Sequence, residues 1–222
     1  MTGQVGRIRR LALAALASLA VAPMALAQQG DGETIYRSGG SNPQALACIT
    51  CHGPDAMGMA AGGFPRLAGL PESYLTRRLQ DFRQGEHDNP IMKPLASALT
   101  EEESEAVSHY LASLPAPKPP RIARDRVPEG TGERLALNGA WERSVPECVA
   151  CHGPGGIGVG EAFPPLAGQH QSYLTAQLRA WRDGVRRNDP MDLMGHIARA
   201  LSDEEIEAVA AYFAGLDTEE QQ

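Results

Sequence analysis

The stretch Cys48–Met59, CITCHGPDAMGM, packs two thiols, an imidazole and two thioethers into twelve residues, and Cys148–Val159, CVACHGPGGIGV, returns to the same frame a hundred residues later. The two share Cys-x-x-Cys-His-Gly-Pro, whereas Met57 and Met59 face only Ile157 and Val159 in the second copy. Outward from the motifs the duplication continues. Upstream, Gly32-Glu33 and Gly39 recur as Gly132-Glu133 and Gly139. Downstream the offset becomes 99: FPRLAGL (Phe64–Leu70) pairs with FPPLAGQ (Phe163–Gln169), and SYLTRRLQDFRQG (Ser73–Gly85) with SYLTAQLRAWRDG (Ser172–Gly184). Past a three-residue insertion the offset is 102, pairing Leu99 with Leu201 and Tyr110 with Tyr212. A repeat on this scale means two domains of common origin.

The local pattern is helical. Leu75, Leu79 and Phe82 fall at i, i+4, i+7, and Leu174, Leu178 and Trp181 repeat that spacing. Thr100-Glu-Glu-Glu103 and Ser202-Asp-Glu-Glu205 are capping boxes, opening final helices whose apolar faces are Val107, Leu111, Leu114 and Val209, Phe213, Leu216. Strand-like alternation is absent. The chain therefore reads as all-α: two tandem domains of three to four short helices, joined by a Pro-rich segment, LPAPKPPRIARDRVPEG (Leu114–Gly130), which runs extended and semi-rigid. The expected boundaries are 28–115 for the first domain, 116–129 for the linker and 130–222 for the second domain.

At the N-terminus Arg7, Arg9 and Arg10 precede the apolar run LALAALASLAVAPMALA, which ends in Ala25-Leu26-Ala27. A charged region, an apolar region and a small-residue cleavage site make a secretory signal, residues 1–27, and predict export to the periplasm. The competing reading, a membrane anchor, suffers from Pro23 and from a run short of the ~20 apolar residues that span a bilayer. No stable membrane insertion is expected after cleavage. Losing three arginines from 20 basic residues and none of the 27 acidic ones moves the net charge from −7 to −10. Such a surface repels nucleic acid and anionic lipid, and favours a partner that presents a basic patch.

The four cysteines all lie in the two motifs. In an exported protein a disulfide framework is the first alternative. However, a Cys-x-x-Cys pair followed at once by His is the attachment signature of c-type haem. Two thiols three residues apart on one helical turn reach two vinyl groups on one side of a porphyrin, and the adjacent His then lies under the iron. A thioredoxin-like dithiol needs a βαβ setting, and a zinc site needs further thiols or imidazoles at matching spacing. Neither is present in the sequence. Two covalently bound haem c groups are expected, with His52 and His152 as proximal iron ligands.

The full unit of CxxCHG, FPxLAG, YLxxxLxxFxxG, a downstream Met and LSxxEIxxVxxYxxxL resembles class I cytochrome c, and its tandem arrangement resembles the diheme cytochrome c4 type over nearly the whole mature chain. The resemblance implies the cytochrome c fold in each half, and a thioether from the segment before the last helix as the second axial ligand. In the first half that is Met92, seven residues before Leu99; seven before Leu201 is Met194, with Met191 as its rival. Met57 and Met59 follow His52 too closely to reach the opposite porphyrin face, and the second copy lacks them. His87, His109, His170 and His196 have no histidine counterparts. Pro65 and Pro164 match the family proline whose carbonyl accepts the Nδ1–H of the proximal His. Tyr74 and Tyr173 are expected to reach haem propionates. Leu70 departs from the pattern that Gln169 keeps, so polar contacts near the first haem should differ. Trp181 and Phe82 read as core.

Thioether ligation raises the reduction potential relative to a second imidazole, and a filled sixth position excludes substrate. The expected function is electron transfer without catalysis, between a quinol-oxidising complex or dehydrogenase and a terminal oxidase or reductase. Two rivals stand beside it: an electron-transfer subunit of a sulfide- or alcohol-oxidising dehydrogenase complex, and a diheme peroxidase.

Overall fold

The computed structural model describes residues 32–118 and 127–216. The expected signal peptide, 1–27, and residues 119–126 of the linker lie outside the described residues. The first half holds α1 (32–38), α2 (Ile49–His52), α3 (Glu72–Gln84), α4 (Met92–Ala98) and α5 (Glu101–Ser113). The second holds α6 (Gly130–Asn138), α7 (Cys148–His152), α8 (Gln171–Arg182), α9 (Leu193–Ala200) and α10 (Asp203–Ala214). Each half has more helical segments than the three to four expected, because the CxxCH turn is itself a helix of four or five residues. Among the described residues β-pairing is confined to isolated bridges.

Both last helices start where the capping boxes place them. Thr100 Oγ1 accepts from the Glu103 amide at 3.1 Å while the Thr100 amide donates to Glu103 Oε2 at 2.9 Å. Ser202 and Glu205 repeat this at 3.2 and 2.9 Å. Such a cap contributes about 1 kcal/mol by satisfying amides that have no partner within the helix. The matched glycines have a matched purpose. A Cβ on Gly132 would stand 2.1 Å from the Ala208 carbonyl oxygen, and one on Gly32 2.2 Å from that of Ala106. The first and last helices of each half therefore cross backbone to backbone, and only glycine permits it.

The two cores fill this crossing differently. The first half uses Tyr36, fully buried, against Leu111; the second uses Ala136, fully buried, against Phe213. The large ring has moved from one helix to the other. Ala56 at φ 58° sits where the second half has Gly156, whose added Cβ would meet the Phe213 ring at 2.7 Å. Bulk is conserved by exchange, as close-packed interiors require.

The halves meet along a pseudo-two-fold seam that follows the sequence offset of 99. The Asp88 amide donates to Val185 O at 3.0 Å and the Arg187 amide to Glu86 O at 2.6 Å, around an antiparallel bridge between His87 and Arg186. His87 and Arg186 are repeat mates, and the two bonds map onto each other, since Asp88 is the mate of Arg187 and Glu86 of Val185. Nearby the Arg66 amide donates to Gln169 Oε1 at 2.9 Å, and Gln169 Nε2 returns a bond to Arg66 O at 3.0 Å.

Candidate functional site

In each half the Cys-x-x-Cys-His segment forms one helical turn: the His52 amide donates to Cys48 O at 2.9 Å, and Gly53 at φ 80° ends the turn. Gly153 ends the second at φ 78°. All four cysteines are half-buried and unbridged. Burial pushes the Cys48 and Cys148 thiols up to about 11, so they stay protonated in a largely apolar wall. Cys48 and Ile49 pack against the first core, and Cys148 and Val149 against the second.

The imidazoles beside them are held by the loop that follows. His52, buried, donates from Nδ1 to Pro65 O at 3.0 Å, and His152 to Pro164 O at 2.8 Å. This fixes the tautomer with the Nε2 lone pair free, which is the ligand form. Burial lowers both pKa values, and the bond to the proline carbonyl opposes it in part, so the rings are neutral. The accepting carbonyl is braced by close packing. Gly58, at φ 79°, brings the loop so near that a Cβ there would stand 2.5 Å from Phe64 O. Phe64 and Phe163 stand edge-on to the two imidazoles at 6.2 and 6.0 Å.

The methionines separate by position. Met57 and Met59 are 37% and 42% exposed, much like Ile157 and Val159 at 42% and 49%. Met92 opens α4, half-buried, its amide donating to Asn89 Oδ1 at 2.9 Å. Met194 stands in the first turn of α9, half-buried, its amide donating to Asp189 Oδ2 at 2.6 Å. The inserted residues form a turn through Asp192 at φ 53° and carry Met191 outward to 80% exposure. Of the other histidines, His196 is exposed, His109 pairs with Glu72 at 2.8 Å, His170 donates to Met57 O at 2.9 Å, and His87 is buried in the seam.

A free Nε2 on a carbonyl-tied imidazole, two unbridged thiols on the adjoining turn and a half-buried thioether suit an iron porphyrin in each half. The Cytochrome c family model matches the chain twice, over residues 31–115 and 136–217. The chain belongs to the cytochrome c family. A protein of Stutzerimonas stutzeri named "Thiosulfate dehydrogenase electron acceptor" is 61% identical over 194 residues, covering 87% of this chain and 90% of that one. Cytochrome c4 of Thiocapsa roseopersicina is 39% identical over 172 residues, 76% of this chain and 86% of that one. Among solved structures, the thiosulfate dehydrogenase TsdBA of Marichromatium purpuratum superposes at TM-score 0.75 with 44% identity; 84% of this chain is covered, spanning only 40% of that longer one. Reduced cytochrome c4 from Pseudomonas stutzeri superposes at TM-score 0.69 with 30% identity, covering 88% of this chain and all of that one. This chain is a diheme cytochrome c of the c4 type: it binds two haem c groups covalently and transfers electrons.

Tyr173 stands close to Tyr74 at the seam, and burial first, then the neighbouring Tyr74, raises the Tyr173 pKa. Phe82 and Trp181 are half-buried rather than core: His87 stacks on Phe82 at 4.7 Å and the Arg186 guanidinium lies 3.7 Å over Trp181. Sequence reasoning missed the seam itself, with Arg66, Arg78, Arg186 and Asn188. Its signal was the Leu70/Gln169 difference, which marks a contact between halves.

Proposed function

We propose that this cytochrome is exported to the periplasm, takes electrons from a thiosulfate-oxidising dehydrogenase, and delivers them to a terminal oxidase or reductase. The observation that carries the donor is the 61% identity, over 90% of its length, to a relative named for accepting electrons from thiosulfate dehydrogenase. The expected dehydrogenase partner thus becomes one acting on thiosulfate rather than on sulfide or an alcohol. An acidic surface supports docking to a basic patch on the partner.

Cys48, Cys51, Cys148 and Cys151 hold the haems; His52 with Met92, and His152 with Met194, ligate the irons. The carbonyl-tied imidazoles and the amide-anchored, half-buried methionines support this set over Met191. Haem c supplies one-electron storage at its iron. The chain's part would be to supply an imidazole and a thioether to each iron, keep the imidazoles neutral and oriented, and exclude substrate, so that each half serves as a carrier rather than a catalyst. The halves are 28–115 and 130–222, with 116–129 as the tether. The relatives named cytochrome c4 support a second reading, the free carrier fed by a quinol-oxidising complex that the sequence leads us to expect.

The test is stopped-flow mixing of the oxidised protein with thiosulfate dehydrogenase and thiosulfate. Both haems should be reduced, at a rate that falls with ionic strength. Reduction no faster than that of an unrelated c-type cytochrome of similar potential overturns the donor assignment. Reduction by the quinol-oxidising complex alone supports the second reading.

A further inference from the structure

The seam between the halves carries buried positive charge that the described residues do not balance. Arg66 is 2% exposed, and its guanidinium donates to Ala68 O at 2.7 Å and Ala167 O at 3.4 Å, but its Nε has no acceptor. Arg78 lies 5.1 Å over the Tyr74 ring, and its Nε too is buried without an acceptor. Arg186, 3% exposed, is spent on Asn188 at 2.9 Å, Gln177 at 2.7 Å and the Trp181 ring. Among the described residues the only ion pair that any of these three makes is Arg78 to Asp81 at 2.5 Å, and Asp81 also accepts from Asn188 at 2.7 Å. The third buried side-chain donor without an acceptor is the indole Nε1 of Trp181. Its helix face also carries Leu174 and Leu178, which pack in the core that Cys148 and Val149 adjoin.

Buried donors in folded proteins are nearly always partnered, and buried cations nearly always compensated. Three orphan N–H groups call for acceptors, and the excess of guanidinium favours anionic ones. Each haem brings two carboxylates, on the porphyrin edge away from the thiol-linked vinyl groups. We infer that Arg66, Arg78 and Trp181 are the chain's donors to the haem carboxylates. Arg78 serves the first haem and Trp181 the second, with Arg66 on the seam between them. The provision is unequal, because the repeat mates of the three are Pro165, Gln177 and Phe82, none of which can act in this way. The inference rests on the two haems and is independent of which dehydrogenase reduces them.

The repeat supplies two test substitutions, Arg78→Gln and Trp181→Phe, each introducing the residue that the other half carries at the equivalent position. A two-step redox titration of the holoprotein, followed by its visible spectrum, is compared for the wild type, Arg78→Gln, Arg78→Lys and Trp181→Phe. Removing a donor from a carboxylate concentrates negative charge beside the iron and favours the ferric state. Arg78→Gln is expected to make one step about tenfold less favourable, about 59 mV for a one-electron couple. Trp181→Phe is expected to lower the other step by a smaller factor, and Arg78→Lys to retain most of the wild-type value. Both steps unmoved in Arg78→Gln and Trp181→Phe overturns the proposal. So does a loss of hydrogen-exchange protection at the Asp88 and Arg187 amides with unchanged potentials, which marks a purely structural role. Wild-type potentials that follow added inorganic phosphate, with the response abolished in Arg78→Gln, assign the seam to a free anion and also overturn it.

Discussion

Replacing Gln169 by Leu, the residue that Leu70 provides at the equivalent point of the first half, tests how the two halves are held together. Gln169 is 3% exposed and closes a two-way bond with the Arg66 backbone, accepting from its amide at 2.9 Å and donating to its carbonyl at 3.0 Å. It also accepts from the His170 amide at 3.0 Å. Leucine is of similar volume, so the change removes partners without opening a large cavity. Were the freed groups to reach water, each lost bond would cost about 0.5–1.5 kcal/mol. They do not: the Arg66 amide and carbonyl stay buried between the halves, and each unsatisfied group costs about 1–3 kcal/mol. Two such groups give about 2–6 kcal/mol, and the apolar gain of leucine draws the result toward the lower end. The loss falls on docking rather than on either core, since neither core cluster contains Gln169. Native-state hydrogen exchange at the Asp88 and Arg187 amides, which donate across the seam, should show protection reduced at least tenfold, a loss of about 1.4 kcal/mol or more. Amides inside α5 and α10 should be unaffected. Unchanged protection at the seam would refute the reasoning, as would an equal loss throughout both halves.

Three further outcomes follow from the same geometry. Met92→Ala and Met194→Ala should each remove half of the near-infrared charge-transfer band of the oxidised protein, whereas Met191→Ala, at an 80% exposed position, should leave the band unchanged and shift stability by less than about 0.5 kcal/mol. His87 is held neutral at the seam, its pKa lowered to about 3 by burial and by Arg186 and Arg78. Because the folded value lies below that of the unfolded chain, its contribution is present above about pH 6.5 and is lost as pH falls toward 3; denaturation at pH 7 and pH 5 should show a drop that His87→Phe abolishes. Gly132→Ala would drive a methyl group to 2.1 Å from the Ala208 carbonyl oxygen, so a loss of about 1–3 kcal/mol or more is expected in the second half by chemical denaturation.

Most of each haem site was legible because its parts are local or duplicated. The Cys-x-x-Cys-His turn is five residues long, and the capping boxes are four. Met57 and Met59 have no methionine counterparts in the second copy, and they are about as exposed as Ile157 and Val159, which stand in their places. Phe82 and Trp181 were less legible: helical spacing placed them on the right face but not at the edge where His87 and Arg186 cover them. Periodicity reports which side of a helix is apolar, not which neighbouring domain arrives there. Arg66 could not be read at all, since an arginine after Pro65 looks like any exposed charge until Ala167 and Gln169 are folded against it.

The duplication also explains why the seam tolerates such unlike residues. Under the offset of 99, the symmetric part of the seam uses backbone groups alone, Asp88 to Val185 and Arg187 to Glu86. Backbone bonds do not depend on side-chain identity, so the two copies were free to diverge while the pairing persisted. Divergence then had to be matched across the axis. The Gln169 side chain bonds the Arg66 amide and carbonyl, while the mirrored positions are Pro165, which has no amide hydrogen, and Leu70, which has no polar side chain. A mixed state, with Arg66 facing a second leucine, would bury an amide and a carbonyl without partners, and the cost estimated for Gln169→Leu is the barrier to it. The three inserted residues around Met191 lie beyond the segment that pairs, where they lengthen an exposed turn and leave the register of the seam intact. The turn before α9 was thus able to change without disturbing the contact between the halves.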